Sequence, residues 1–178
     1  MVLLLFGATG DLAKRMLLPS LFGLDVDGLL AASMQIVGTA RRKLDDAAFR
    51  EIARTALTDY VDAERLLPDR VAGFLERLRY VPLDATDAAG FAPLAGAVGA
   101  TNDLSIFLST APSLFGSTIA GLAAAGLAGP SVRLALEKPL GADLASSRAI
   151  NDQAAADWQD IAARGRGYRL RQRRRRPA

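Results

Sequence analysis

An open, mostly parallel α/β sheet with helices on both faces is the fold class this sequence predicts, on three observations. Short, largely apolar runs of strand length recur at residues 2–6, 34–37, 80–83, 104–108 and 132–136, the first of them without a polar residue as in a strand buried on both faces. Segments of helical apolar period fill the intervals between them. A tight glycine turn at Gly7 joins the first run to the first helix.

The first run, Val2 to Phe6, carries no polar residue. From Asp11 the period becomes helical, placing Leu12, Met16, Leu17 and Leu21 on one face, and residues 25–28 read as a turn. Met34 to Val37 reads as the second strand, ending at Gly38. Strand, turn, helix and strand within about 38 residues form a βαβ unit, whose strands are parallel and whose crossover is right-handed. Asp45 and Asp46 open a helix through Phe49, Ile52, Ala53 and Leu57. A further helix is expected over residues 63–78, with Leu66, Val71, Phe74, Leu75 and Leu78 as its apolar stripe and Pro68 in its first turns. Residues 87–98 and 112–125 predict two more helices, and 143–155 a last one. The body, residues 1–153, reads as one Rossmann-like domain. Residues 154–178 read as an irregular, arginine-rich, disordered tail without periodicity.

Composition narrows the chemistry. The 178 residues contain no cysteine and no histidine, which excludes disulfides, thiolate metal sites, cysteine nucleophiles and imidazole bases. Eight arginines lie beyond residue 163, so residues 1–163 hold a net charge of −5 although the whole chain is at +3. The start has no basic segment before its five apolar residues, so a signal peptide is not expected. The uncharged stretch from Leu104 to Val132 is interrupted by Pro112 and Pro130, and its longest helical candidate is shorter than the roughly 20 residues of a membrane span. A cytoplasmic protein without a membrane segment is the expectation.

The sharpest motif is Gly7-Ala8-Thr9-Gly10-Asp11-Leu12-Ala13-Lys14. In a dinucleotide fold the first glycine makes the turn and the second admits the pyrophosphate. A small third residue, here Ala13, lets helix and strand approach. The helix start then offers N–H groups and a positive dipole to phosphate. By itself such a turn also serves as a plain strand–helix connection. A carboxylate at the end of the second strand would favour NAD, but the chain has Arg41, Arg42 and Lys43 there. That cluster suits a 2′-phosphate and favours NADP, although a solvated basic loop has the same composition. Lys138, after the fifth strand, is placed to hold a phosphate, a sugar hydroxyl or a carbonyl, or to pair with Glu137. Ser109, Thr110, Ala111 and Pro112 end the fourth strand with small residues that would admit a flat ring.

Taken together, G-A-T-G-D-L-A-K-R at 7–15, I-V-G-T-A-R at 36–41, S-T-A-P-S-L-F at 109–115 and E-K-P-L-G-A-D-L-A-S-S at 137–147 resemble the coenzyme domain of the glucose-6-phosphate dehydrogenase family, in order and spacing. The resemblance covers residues 1–153. It implies NADP-dependent oxidation of glucose 6-phosphate to 6-phosphogluconolactone, in the pentose phosphate pathway. By resemblance, the coenzyme loop falls on Gly7 to Lys14 and the arginine reading the 2′-phosphate on Arg41, with Arg42 beside it. Pro112 and Phe115 fall near the nicotinamide, with phenylalanine where the family often has tyrosine. Lys138 falls on the lysine touching both substrate and coenzyme, and Pro139 on the proline that positions it.

The departures are equally specific. The family continues into R-I-D-H-Y-L-G-K and a substrate domain, neither found in this sequence, and its general base is a histidine. Catalysis by this chain alone is therefore not expected. An arginine-rich end at that point is what a shifted reading frame or truncated gene would give. Reading the genomic locus in all three frames for that motif tests this. Apolar surface facing the missing domain predicts self-association. A non-catalytic NADP-binding module is one alternative. A short-chain or epimerase-type enzyme is another, but Tyr60, Tyr80 and Tyr168 all lack the lysine four residues on that its chemistry needs. The tail's arginines predict only weak, salt-dependent adhesion to nucleic acid.

Overall fold

The structure, a computed structural model, describes residues 1–101, 103–129 and 131–137, with the backbone alone for Pro112. Its centre is a five-stranded sheet of β1 (Val2–Phe6), β2 (Gln35–Ala40), β3 (Leu78–Pro82), β4 (Leu104–Leu108) and β5 (Val132–Leu136). All pairings are parallel and the spatial order is β3-β2-β1-β4-β5, so the order reverses between β1 and β4. The α/β class and Rossmann-like topology thus stand as the sequence predicts. The expected helix at 143–155 and the basic tail lie outside the described residues.

β1 to β4 divide their side chains between two cores, while β5 packs only against the first through Val132, Leu134 and Leu136. Val2, Leu4 and Phe6 join Leu104, Ile106 and Leu108 beneath α4 (Phe91–Val98) and α5 (Phe115–Ala124). Leu5, Ile36, Leu78 and Tyr80 line the opposite face. There they meet α1 (Leu18–Val26), α2 (Asp46–Tyr60) and α3 (Pro68–Glu76). A strand with apolar residues at every position has a core on both sides.

Four local expectations are corrected. The first helix buries Ala13, Leu18 and Phe22, whereas Met16 is 58% exposed. A π-helical turn over Ala13–Leu17 precedes α1 and inserts one extra residue into the repeat, so the inward positions fall five and then four apart. Residues 25 and 26, read as turn, remain helical; Asp27 and Gly28 make the actual stop, Gly28 with φ +71°. Gly38 does not end the second strand, which runs on to Ala40. Its glycine is a packing requirement, because a Cβ there would lie 2.6 Å from the Phe49 ring and 2.9 Å from Ala8 Cβ. The helix expected over 63–78 is split into a 3-10 turn at Ala63–Arg65 and α3. Pro68 starts α3, where a missing N–H costs nothing, and Leu78 belongs to β3, paired with Ile36.

Smaller shifts have similar causes. β3 spans Leu78–Pro82 rather than 80–83, and 3-10 turns at Ala88–Gly90 and Pro112–Leu114 occupy the first residues expected of α4 and α5. α2 begins as the sequence predicts, with the Asp45 carboxylate accepting from the Ala48 N–H at 2.8 Å. Asp45→Ala is therefore expected to cost about 1 kcal/mol, read as a lower urea midpoint at unchanged slope. Among the described residues no helix is long and apolar enough to cross a membrane.

Candidate functional site

The carboxyl ends of β1, β2 and β4 converge where the strand order reverses, the place at which open α/β sheets bind ligands. Gly7 leaves β1 with φ +74°, and a Cβ on it would lie 2.3 Å from the Ser109 carbonyl oxygen beyond β4. The turn is closed by Gly10 N–H donating to Gly7 at 2.8 Å and tied to β2 by Ala8 N–H donating to Thr39 at 3.1 Å. Ala8 and Ala13 are fully buried, as close packing of helix on strand requires.

The first helical hydrogen bond runs from Lys14 N–H to the Gly10 carbonyl at 3.2 Å. The N–H groups of Asp11, Leu12 and Ala13 precede it, and among the described residues they have no intrahelical acceptor. Such donors at the positive end of a helix fit a phosphate. Beside them Thr9, Asp11, Lys14 and Arg42 line the mouth of a cleft of about 480 Å³ against α2. Its floor includes Ile52 and Ala56.

Arg41 and Arg42, both exposed, are the first residues beyond β2. They diverge: Arg42 faces the cleft, while Arg41 lies close enough to Asp84 for its charge to act there. The Asp84 carboxyl is held below its ordinary range, first by the Thr86 N–H and hydroxyl (3.0 and 2.7 Å), with Arg41 assisting. At the end of β4 the Ser109 hydroxyl donates to the Glu137 carboxylate at 3.1 Å. Glu137 thus bonds β4's end whether or not it pairs with its neighbour. Thr110 Oγ1 is the one buried side-chain polar atom without a partner among the described residues, an open hydrogen-bonding position at the same edge. The residues present therefore fit a dinucleotide.

The structure brings Gly7, Ala8, Thr9, Gly10, Asp11, Leu12, Ala13, Lys14, Arg41 and Arg42 to one edge of the sheet. Phe115, by contrast, is 4% exposed and packs in the core with Phe91 and Leu108. Pro112 sits in the 3-10 turn before α5, and Lys138 lies outside the described residues. Sequence reasoning missed Asp84 and Tyr80. The signal for Asp84 was a carboxylate closing the third strand; Tyr80 gave none beyond an aromatic at a buried strand position.

Comparison with known proteins places this geometry. Residues 4–162 match the family described as "Glucose-6-phosphate dehydrogenase, NAD binding domain". A glucose-6-phosphate 1-dehydrogenase of Zymomonas mobilis is 56% identical over 151 residues, covering 84% of this chain and 31% of the relative. That of Mycolicibacterium smegmatis is 42% identical over 158 residues, covering 85% and 32%. The crystal structure of the Mycobacterium avium glucose-6-phosphate 1-dehydrogenase superposes with a TM-score of 0.79 at 31% identity, over 87% of this chain and 33% of that one. The chain thus spans about a third of the length of the curated relatives it matches. On its matched residues, this chain belongs to the glucose-6-phosphate dehydrogenase family and carries that family's NAD binding domain.

Proposed function

We propose that this chain is the NADP-holding part of a glucose-6-phosphate dehydrogenase, with residues 1–153 as the coenzyme unit. The observation that carries the reading is the junction of two features at one sheet edge. The Gly7–Gly10 turn presents free helix N–H groups, and Arg41 and Arg42 follow β2 directly where NAD-selective sites place a carboxylate. In this reading the amides of Asp11 to Ala13 hold the pyrophosphate and Ala13 keeps the helix close to it. Arg41, with Arg42 next to it in the chain, holds the 2′-phosphate, and Thr9 belongs to the coenzyme loop. Lys14 adds a cation at the mouth of the cleft. Pro112 and the Thr110 hydroxyl flank the nicotinamide end, with Phe115 supporting that wall from the core. Lys138 is assigned to both coenzyme and substrate.

NADP+ supplies a hydride acceptor when bound. Oxidation at C1 of the sugar also requires a base within hydrogen-bond reach of the hydroxyl proton. The family resemblance gives that role to a histidine, a residue type these 178 residues do not contain, so no residue of this chain is assigned as the base. The chain's own work is to bind and orient the coenzyme. Following NADPH fluorescence during titration, and NADPH absorbance on adding glucose 6-phosphate, separates the two parts. Saturable binding without turnover is expected. Turnover by the chain alone would show that it supplies a base of its own, and absence of binding by folded protein would overturn the reading.

A further inference from the structure

Resting on that reading, we propose that Tyr80 is a positioning residue that sets coenzyme selectivity by pinning the loop which carries Arg41 and Arg42. Tyr80 sits in β3, opposite Gly38 of β2, and is almost fully buried. Its phenolic oxygen lies 2.7 Å from the Arg42 carbonyl oxygen and 3.0 Å from that of Ala40. The single hydroxyl proton is thus shared between carbonyls on either side of Arg41. The backbone N–H of the same residue donates to Asp46 Oδ1 at 2.7 Å, in the first turn of α2. One residue therefore holds the loop between β2 and α2 at both its ends. The Tyr80 ring stands 5.1 Å from that of Phe49, which itself fills the space left by Gly38.

The consequence follows from where the arginines begin. Both are exposed, so solvent leaves their side chains mobile and their reach depends on a fixed backbone origin. A pinned loop presents the guanidinium groups to a 2′-phosphate without the entropic cost of ordering the chain on binding. NAD+ carries no 2′-phosphate, and its pyrophosphate contacts lie at the Gly7–Gly10 turn instead. Loosening the loop should therefore weaken NADP+ selectively. A merely structural Tyr80 would weaken both coenzymes alike.

Tyr80→Phe keeps the ring and its contact with Phe49 and removes the hydroxyl. In calorimetric titrations of the full chain, it is expected to weaken NADP+ about fivefold while NAD+ changes less than about twofold. Phe49→Leu is the control: it lowers the melting temperature and leaves the ratio of the two affinities near that of wild type. An equal loss for both coenzymes, or no loss, overturns the assignment. A wild-type chain with no preference for NADP+ overturns the coenzyme reading and this assignment together. A wild-type preference that Tyr80→Phe leaves undiminished overturns the assignment alone. A second measurement needs no variant. Backbone N–H order parameters at Arg41 and Arg42 in the wild-type chain should approach those of rigid backbone, about 0.85, and values below about 0.6 contradict a pinned loop.

Discussion

Arg41→Ala is expected to weaken NADP+ binding by about 10- to 100-fold, the cost of a charge-assisted contact to phosphate, and to leave NAD+ nearly unchanged. Arg41 is the first residue beyond β2, where the chain passes the ribose of a dinucleotide bound at the switch between β1 and β4. Arg42 faces the α2 cleft instead, so Arg42→Ala should cost less than Arg41→Ala. Titration of the two variants with each coenzyme checks both the size and the order of the effects. Equal losses on NAD+ would show that neither side chain reads the 2′-phosphate.

Gly7→Ala is expected to be strongly destabilising, because strained backbone and a backbone clash coincide there. The residue holds φ +74°, which costs an L side chain about 1–2 kcal/mol. Its Cβ would also stand 2.3 Å from the Ser109 carbonyl oxygen, a backbone atom. Ser109 cannot withdraw freely, since its N–H donates to Phe6 and its hydroxyl to Glu137. A total of about 3 kcal/mol is expected, or roughly 10 °C in melting temperature for a domain of this size. Gly10→Ala is the informative contrast. A Cβ there meets only the Gly7 carbonyl oxygen, at 3.0 Å, so stability should fall less while the added methyl stands in the turn that receives phosphate. Thermal unfolding of both variants, with and without NADP+, separates loss of fold from loss of site.

Much of this was legible in the sequence because of how its signals are built. A central strand is a short, largely apolar run with abrupt ends, and the sequence bounds of 104–108 and 132–136 agree with β4 and β5 to the residue, although β5 is an edge strand with Arg133 exposed. The glycine turn and the basic cluster after β2 are legible because each is a short contiguous stretch of the chain, and the parallel pairing of β1 with β2 sets them at one sheet edge. The errors arose where tertiary contacts decide. α-Helical spacing of 3.6 residues per turn puts Met16 inward, and the π-helical turn at Ala13–Leu17 breaks that spacing. A glycine after an apolar run signals a stop, but Gly38 makes room for Phe49, eleven residues on. Leu78 suited a helical stripe as well as a strand, and pairing with Ile36 settled it. Tyr80 acts on backbone carbonyls about forty residues earlier, which no local pattern records.

The most direct measurement is a calorimetric titration of the folded 178-residue chain with NADP+ and, separately, with NAD+. Saturable binding with NADP+ at least about tenfold tighter is the predicted result, equivalent to about 1.4 kcal/mol for the arginine-held phosphate. Equal affinity for both coenzymes, or tighter binding of NAD+, would contradict it.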